Sequence, residues 1–306
     1  MAAHGEAARI AIIGAGAIGG MLAYALAAAG REVTMCLRSP LDRLTVEIGG
    51  ATHEVGARFA TDPAEIGVAD WVFLTTKAQD TAAAAPWFSR LCGPDTMSVA
   101  AQNGVDHRER LAPVVPQGTI VPAIVYCSAE RTRPGAIRHH RSTRLEVADD
   151  EPGRALAALM AGTIFTVDLS ADLTTAAWRK LLGNVVANPI TALTLRRQAV
   201  LADPAIAPLA RALIEEAAAA GRAAGADLPD DHVERELASL TASNRARGAG
   251  GSSMLYDRLA SLPTEHEHIT GAVVAAAERH GIDVPASRTV LALCRAASGR
   301  PLDGSD

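Results

Sequence analysis

Aromatic residues are scarce in this 306-residue chain, with three Trp, three Tyr and four Phe. Its core must therefore rest on Ala, Leu, Val and Ile. Cysteines are few and scattered: Cys36, Cys92, Cys127 and Cys294 include no C-x-x-C pair, and they read as buried thiols of a protein kept in a reducing cytoplasm. Excess positive charge is also missing. Lys and Arg total 29 against 34 Asp and Glu, a formal net charge of −5, so nothing draws the chain generally to nucleic acid or to an anionic membrane. Beyond the N-terminal region no run is long and apolar enough to span a bilayer. What is present, 49% apolar and 21% charged residues, describes an ordinary globule with room for one large or two medium domains.

The most informative stretch is Arg9 to Leu37. Ile10, Ala11, Ile12 and Ile13 form a short run suited to a buried parallel strand. Gly14, Gly16 and Gly19 follow in G-x-G-x-x-G spacing, with Ala15, Ala17 and Ile18 between them. The first glycine allows a tight turn, the second lets backbone approach a diphosphate, and the third permits close helix–strand packing. Helix formers then run from Ala17 to Ala29 before Gly30, and Val33 to Leu37 reads as a second strand. The glycine spacing alone is weak; strand, helix and strand around it make it a dinucleotide site. A secretory leader is the competing reading of this apolar N-terminus, but MAAHGEAAR is barely basic and a glycine turn interrupts the run. At the end of the second strand stands Arg38, where NAD-preferring sites place Asp or Glu for the ribose 2′-hydroxyl. An Arg there suits a 2′-phosphate, so the expected cofactor is NADP(H); a solvated strand-end Arg is the plainer alternative.

Further along, the pattern alternates between strand and helix. Short strands are expected around the turn Gly49-Gly50, a short helix after Asp62-Pro63, and strands at Trp71–Leu74, Met97–Ala101 and Thr119–Val125. Two of these deliver Thr75-Thr76-Lys77 and Gln102-Asn103-Gly104 to the strand ends where doubly wound sheets bind ligands. Ala136–His139 and Arg144–Val147 read as antiparallel extensions, with His139-His140-Arg141 a solvated basic strand end. From Leu173 on, the pattern is helical: Thr174–Ala187, Ile206–Ala223, Asp230–Ala242, Met254–Leu262, Glu267–His280 and Ser287–Ala297, with a loop at 246–253. The domain boundary is expected within Asp168–Asp172. The fold class is α/β: an N-terminal Rossmann-like doubly wound sheet over residues 1–170, and an all-α C-terminal domain over 171–306.

On the first of these helices Lys180, Asn184 and Asn188 stand four apart and share one face. Leu181, Leu182, Val185 and Val186 form the apolar side, and Pro189 is expected to bend the helix near Asn188. On pattern alone the polar row is equally a solvated face. Over essentially its whole length, however, the chain resembles the ketopantoate reductases (2-dehydropantoate 2-reductases). The matching segments are GAGAIG at Gly14–Gly19, CLR ending at Arg38, TKAQD around Lys77, QNG at Asn103, WRKLLGN with ANP at Lys180, Asn184 and Asn188, SSML at Ser253, and TEHEHITG at Glu265.

That resemblance implies NADPH-dependent reduction of a small 2-keto acid, most simply ketopantoate to (R)-pantoate on the way to pantothenate and coenzyme A. It implies that the glycine turn and Arg38 hold the cofactor phosphates, and that Lys77, Asn103 and Glu265 contact cofactor, Asn103 also substrate. It further implies that Lys180 is the general acid, aided by Glu265, while Asn184, Asn188 and Ser253 hydrogen-bond the keto acid. Read without it, Lys77 is a surface lysine, Asn103-Gly104 a turn and Ser253 a helix cap. Glu265-His266-Glu267-His268 is not expected to bind metal, because adjacent helical residues splay apart and no third ligand cluster is evident. Some members carry a further asparagine about ten residues beyond Asn188; here Gln198 stands in that area, which leaves substrate anchoring open. Rivals are a reductase of another keto acid or imine, and an NADP(H)-sensing module without turnover. A cytoplasmic monomer or homodimer, with no nucleic acid and no membrane, completes the expectation.

Overall fold

The computed structural model describes residues 8–229, 231–247, 250–300 and 302; residues 1–7, within the segment weighed as a leader, lie outside them. One compact unit takes in the chain up to Gln102 and Asp106–Leu173; the other takes in Asn103–Val105 and the chain from Thr174 on.

The first unit contains β1 (Ile10–Ile13), α1 (Ala17–Ala28), β2 (Val33–Cys36), β3 (Thr45–Ile48), β4 (Ala51–Glu54), β5 (Arg58–Ala60), β6 (Trp71–Leu74), α2 (Ala85–Leu91), β7 (Met97–Ala100), α3 (His107–Leu111) and β8 (Thr119–Pro122). After them come β9 (Ile124–Arg133), β10 (Ala136–Ala148), α4 (Glu151–Met160) and β11 (Thr166–Ser170). Six strands form a parallel sheet in the order β5-β2-β1-β6-β7-β8. This is the doubly wound dinucleotide-binding order, and it reverses between β1 and β6. Both faces are buried. Ile10, Ile12, Trp71 and Phe73 join one core, while Ala11, Ile13, Val72 and Leu74 join another with Phe88, Leu91 and Leu111. That two-sided burial is why these strands read as continuous apolar runs.

A second sheet runs β11-β10-β3-β4, with β9 antiparallel to β10. α1 is apolar almost all round because it packs between sheets; a Cβ at Gly20 would lie 2.6 Å from Ile137 of β10. The single strand expected at Thr119–Val125 is two: β8 stays in the parallel sheet through Pro122, and β9 starts at Ile124 in the second sheet. Proline cannot donate to a ladder, so it suits the point where the chain changes partner. Cys36, Cys92 and Cys294 are buried as expected, whereas Cys127 on β9 is only partly covered. Burial pushes the Cys36 and Cys294 thiols up to about 12.

The second unit is helical: α5 (Leu173–Thr194, its first residue still in the first unit), α6 (Ala207–Ala223), α7 (His232–Arg247), α8 (Ser253–Leu259), α9 (Thr270–His280) and α10 (Pro285–Ala297). α5 supplies Trp178, Leu181, Leu182, Val185, Val186 and Ile190 to a core shared with α6, α9 and α10. It does not stop at Ala187, but passes through Pro189 to Thr194. Core residues on both sides of the proline offset its cost of about 3 kcal/mol. Thr191 Oγ1 also donates to the carbonyls of Ala187 at 2.7 Å and Asn188 at 3.2 Å. α7 runs past the expected loop start to Arg247; Asp230, Gly248 and Ala249, which the expected helix and loop included, lie outside the described residues. α10 starts two residues early, at Pro285, and Glu216 of α6 accepts from the amides of Ala286 and Ser287 at 2.8 and 2.7 Å.

Candidate active site

The glycine turn joins β1 to α1 at the C-terminal edge of the parallel sheet. Gly14 has φ +105°, a conformation that favours glycine, and a Cβ there would meet Thr76 Cγ2 at 3.0 Å. At Gly19 a Cβ would lie 2.0 Å from the Gly14 carbonyl oxygen and 2.5 Å from Thr75 Oγ1. Gly16 differs: its nearest neighbour would be the Thr75 carbonyl oxygen at 3.9 Å. Two of the glycines thus serve contacts within the protein, and the third leaves space. α1 begins at Gly16 with no side-chain cap, so its first amides remain available to an anion. These features fit a dinucleotide diphosphate.

The turn is stitched to the end of β6. Thr75 Oγ1 reaches the carbonyls of Ile13 and Gly14, each at 2.9 Å, and Gln102 Nε2 donates to the carbonyls of Thr76 at 3.0 Å and Lys77 at 3.3 Å. Lys77 opens a tight 3-10 turn (Ala78–Ala84) and is partly covered. Arg38 is exposed, two residues beyond β2. For this role of Thr75 and Gln102 the sequence offers no signal beyond their place at the ends of two expected strands.

A second constellation lies in the helical unit. Lys180 Nζ donates to Asn103 Oδ1 at 3.2 Å, and Asn103 Nδ2 donates to Glu265 Oε2 at 3.0 Å. One amide therefore links an ammonium to a carboxylate, its oxygen toward the cation and its nitrogen toward the anion. Glu265 is 5% exposed, and burying a carboxylate requires such partners. Asn103 reaches this position through the bend at Gly104, whose φ is +111°. On α5, Asn184 is partly covered and Asn188 is 4% exposed. Among the described residues neither amide has a hydrogen-bond partner. Neither amide is among the fully buried atoms left without a partner, so both tips stay open to solvent or to a polar ligand, in a row with Lys180.

Ser253 is exposed at the start of α8, and the cap is its neighbour: Ser252 Oγ accepts from the Leu255 amide at 3.0 Å and sits 2.7 Å from Thr191 Oγ1 of α5. Two adjacent serines give no sequence signal as to which one turns inward. Beside Glu265, burial holds His266 below the ordinary imidazole value. The Arg295 guanidinium, donating at 2.6 and 2.9 Å, holds Glu267 below the usual carboxylate range. Among the described residues no three His, Cys, Asp or Glu are grouped to hold a metal, and no helix is long and apolar enough to cross a membrane.

The family profile described as Ketopantoate reductase PanE/ApbA matches residues 10–151, and the one described as Ketopantoate reductase PanE/ApbA C terminal matches residues 172–298. The chain is 37% identical over 291 residues to a 2-dehydropantoate 2-reductase of Caulobacter vibrioides, covering 94% of this chain and 99% of that one. It is 38% identical over 294 residues to one of Mycobacterium tuberculosis, covering 95% and 98%. A solved dimeric ketopantoate reductase from Staphylococcus aureus superposes with a TM-score of 0.85 at 26% identity, covering 94% of this chain and 98% of that one.

Proposed function

The chain belongs to the ketopantoate reductase PanE/ApbA family, and from that premise we propose that it reduces 2-dehydropantoate (ketopantoate) to (R)-pantoate with NADPH, in pantothenate and coenzyme A biosynthesis in the cytoplasm. The observation that carries this reading is the hydrogen-bonded series Lys180–Asn103–Glu265, on one face with two amides that have no hydrogen-bond partner among the described residues. Residues 1–170 hold the cofactor and 171–306 the substrate. Gly14, Ala15, Gly16, Ala17, Ile18 and Gly19 present backbone to the diphosphate. Arg38 takes the 2′-phosphate, and Lys77, Asn103 and Glu265 contact the remainder.

When bound, NADPH supplies the hydride that adds to the keto carbon. Negative charge then grows on the keto oxygen. The Lys180 ammonium stabilises that charge and transfers its proton to the oxygen, which completes the alcohol. Asn103 and Glu265 hold the lysine side chain in place, sparing the entropy of ordering it during reaction. Asn184 and Asn188 donate to the substrate's oxygens without competing for the proton, and Ser253 adds a hydroxyl. The enzyme acts as a monomer or a homodimer, the latter being the state named for the Staphylococcus aureus relative.

The test is NADPH oxidation by the purified protein with ketopantoate, run beside pyruvate and 2-ketoisovalerate. Preference for ketopantoate is expected, and tighter binding of NADPH than of NADH; tighter NADH binding would overturn the role of Arg38. A second reading, reduction of another small 2-keto acid, draws on Gln198. This residue follows α5 where some relatives carry asparagine, and its backbone amide donates to the Gly250 carbonyl at 3.1 Å.

A further inference from the structure

The chain leaves the first unit for three residues only: Asn103, Gly104 and Val105 belong to the helical unit, while Gln102 before them and Asp106 after them belong to the first. Within the helical unit Asn103 meets Lys180 and Glu265, and Val105 packs against the aliphatic core. A three-residue loop with glycine at its centre takes its shape from how its ends are fixed.

Both ends are fixed by α3, which follows at once. The Arg110 guanidinium donates through Nε to Gln102 Oε1 at 3.3 Å and through Nη1 to Asp106 Oδ1. One side chain therefore ties the residue before the loop to the residue after it. His107 Nε2 adds a further tie, 2.9 Å from the Gln102 carbonyl oxygen. Gln102 is itself fastened to the Thr76 and Lys77 carbonyls, and fully buried Leu111 roots α3 in the core on one face of the parallel sheet. Ion pairs four apart on a helix usually lie in solvent and contribute a few tenths of a kcal/mol. This one is shielded: the Arg110 side chain is 7% exposed, and Gln102 and His107 are buried. Asp106 stands at the N-cap of α3, where an aspartate ordinarily accepts from the helix's own amides. Its side chain makes no such bond, and is turned to Arg110 instead.

We infer that Arg110 is a positioning residue for the reaction: by closing the neck of the Asn103–Val105 loop together with Asp106, it holds the Asn103 amide in line with Lys180. The planar fork of arginine reaches Gln102 and Asp106 at once, which the point charge of lysine does not. With the neck open, Asn103 is no longer held at one place. Its bond from Lys180, at 3.2 Å already at the long end of the range, weakens with a small displacement. The ammonium then loses its alignment with the keto oxygen, and a misplacement of about 1 Å can lower turnover as much as about 100-fold. This inference rests on the reductase reading above and adds what holds the proton donor's partner in place.

The experiment measures NADPH oxidation with ketopantoate in the wild type, Arg110→Lys, Asn103→Ala and the double variant. Arg110→Lys is expected to lower kcat about 10-fold with a much smaller change in the KM for NADPH. In Asn103→Ala no amide remains to be positioned, so adding Arg110→Lys should lower kcat by about 2-fold at most. A merely structural role would give the same factor in both backgrounds. Equal factors, or an unchanged kcat in Arg110→Lys, would overturn the inference while leaving the reductase reading intact. A wild type that reduces no keto acid would overturn both. Should Arg110→Lys fold poorly, Asp106→Ala, which removes the more exposed partner, decides by the same comparison; equal factors there count against the inference.

Discussion

The two constellations are built from different parts of the chain. At the turn after β1 the groups left open are backbone amides, and the conspicuous residues matter for what they lack: Gly14 and Gly19 have no room for a methyl. On α5 the notable groups are side-chain tips, and what distinguishes them is what they reach: Lys180 to Asn103, and Asn103 to Glu265. A backbone site is sensitive to bulk and can be written in a short continuous motif. A side-chain site is sensitive to loss of a functional group and draws on residues more than a hundred positions apart.

The largest effect that would separate the two is Lys180→Ala. Turnover is expected to fall at least about 100-fold, the scale of a lost general acid, while NADPH affinity, measured by fluorescence titration, changes only a few-fold. Near-native turnover would remove the proton-donor role. Gly19→Ala makes the opposite intervention, adding one methyl and removing no functional group. With the Gly14 carbonyl 2.0 Å from the new Cβ, NADPH affinity should fall by about 10-fold or more, and overpacking should cost about 1–3 kcal/mol in thermal unfolding. An unaffected affinity would mean that the close approach of α1 to β1 does not shape the cradle.

The smallest effect lies at the other end of the same two strands. Arg9 and Asp70 precede β1 and β6, and the Arg9 guanidinium and amide hold the Asp70 carboxyl below its usual value. A depressed native pKa contributes stability that is present above the unfolded value near 4 and is lost as pH falls through the native one. The pair is solvent-screened, with side chains 63% and 45% exposed, so Asp70→Asn should cost about 1 kcal/mol or less at neutral pH. That difference should disappear in strong acid and leave NADPH affinity unchanged. A loss of cofactor affinity would show that the two strand ends are not independent.

Much of the first region was legible in advance, because each feature is local: a β-branched run, three glycines in fixed spacing, and helix formers up to Gly30. The strand order and the change of sheet at Pro122 were not, since pairing depends on which apolar faces meet. In the helical unit the apolar periodicity marked each of the helices, but core burial on both sides of Pro189 carried α5 a further turn and more. The choice of Ser252 over Ser253 as cap, and the pairing of Gln102 with Thr76, depend on side-chain direction, which periodicity does not encode.

By itself, then, the sequence determined the cofactor-type turn, the change from alternating strands to helices, and the Lys180–Asn184–Asn188 row, all consequences of spacing along one element. Only the tertiary structure decided that Asn103 joins Lys180 to Glu265 and that Asn184 and Asn188 have no hydrogen-bond partner among the described residues. Those facts arise where elements distant in sequence pack together. At such places steric fit and hydrogen-bond satisfaction, rather than the local preference of any residue, select the arrangement.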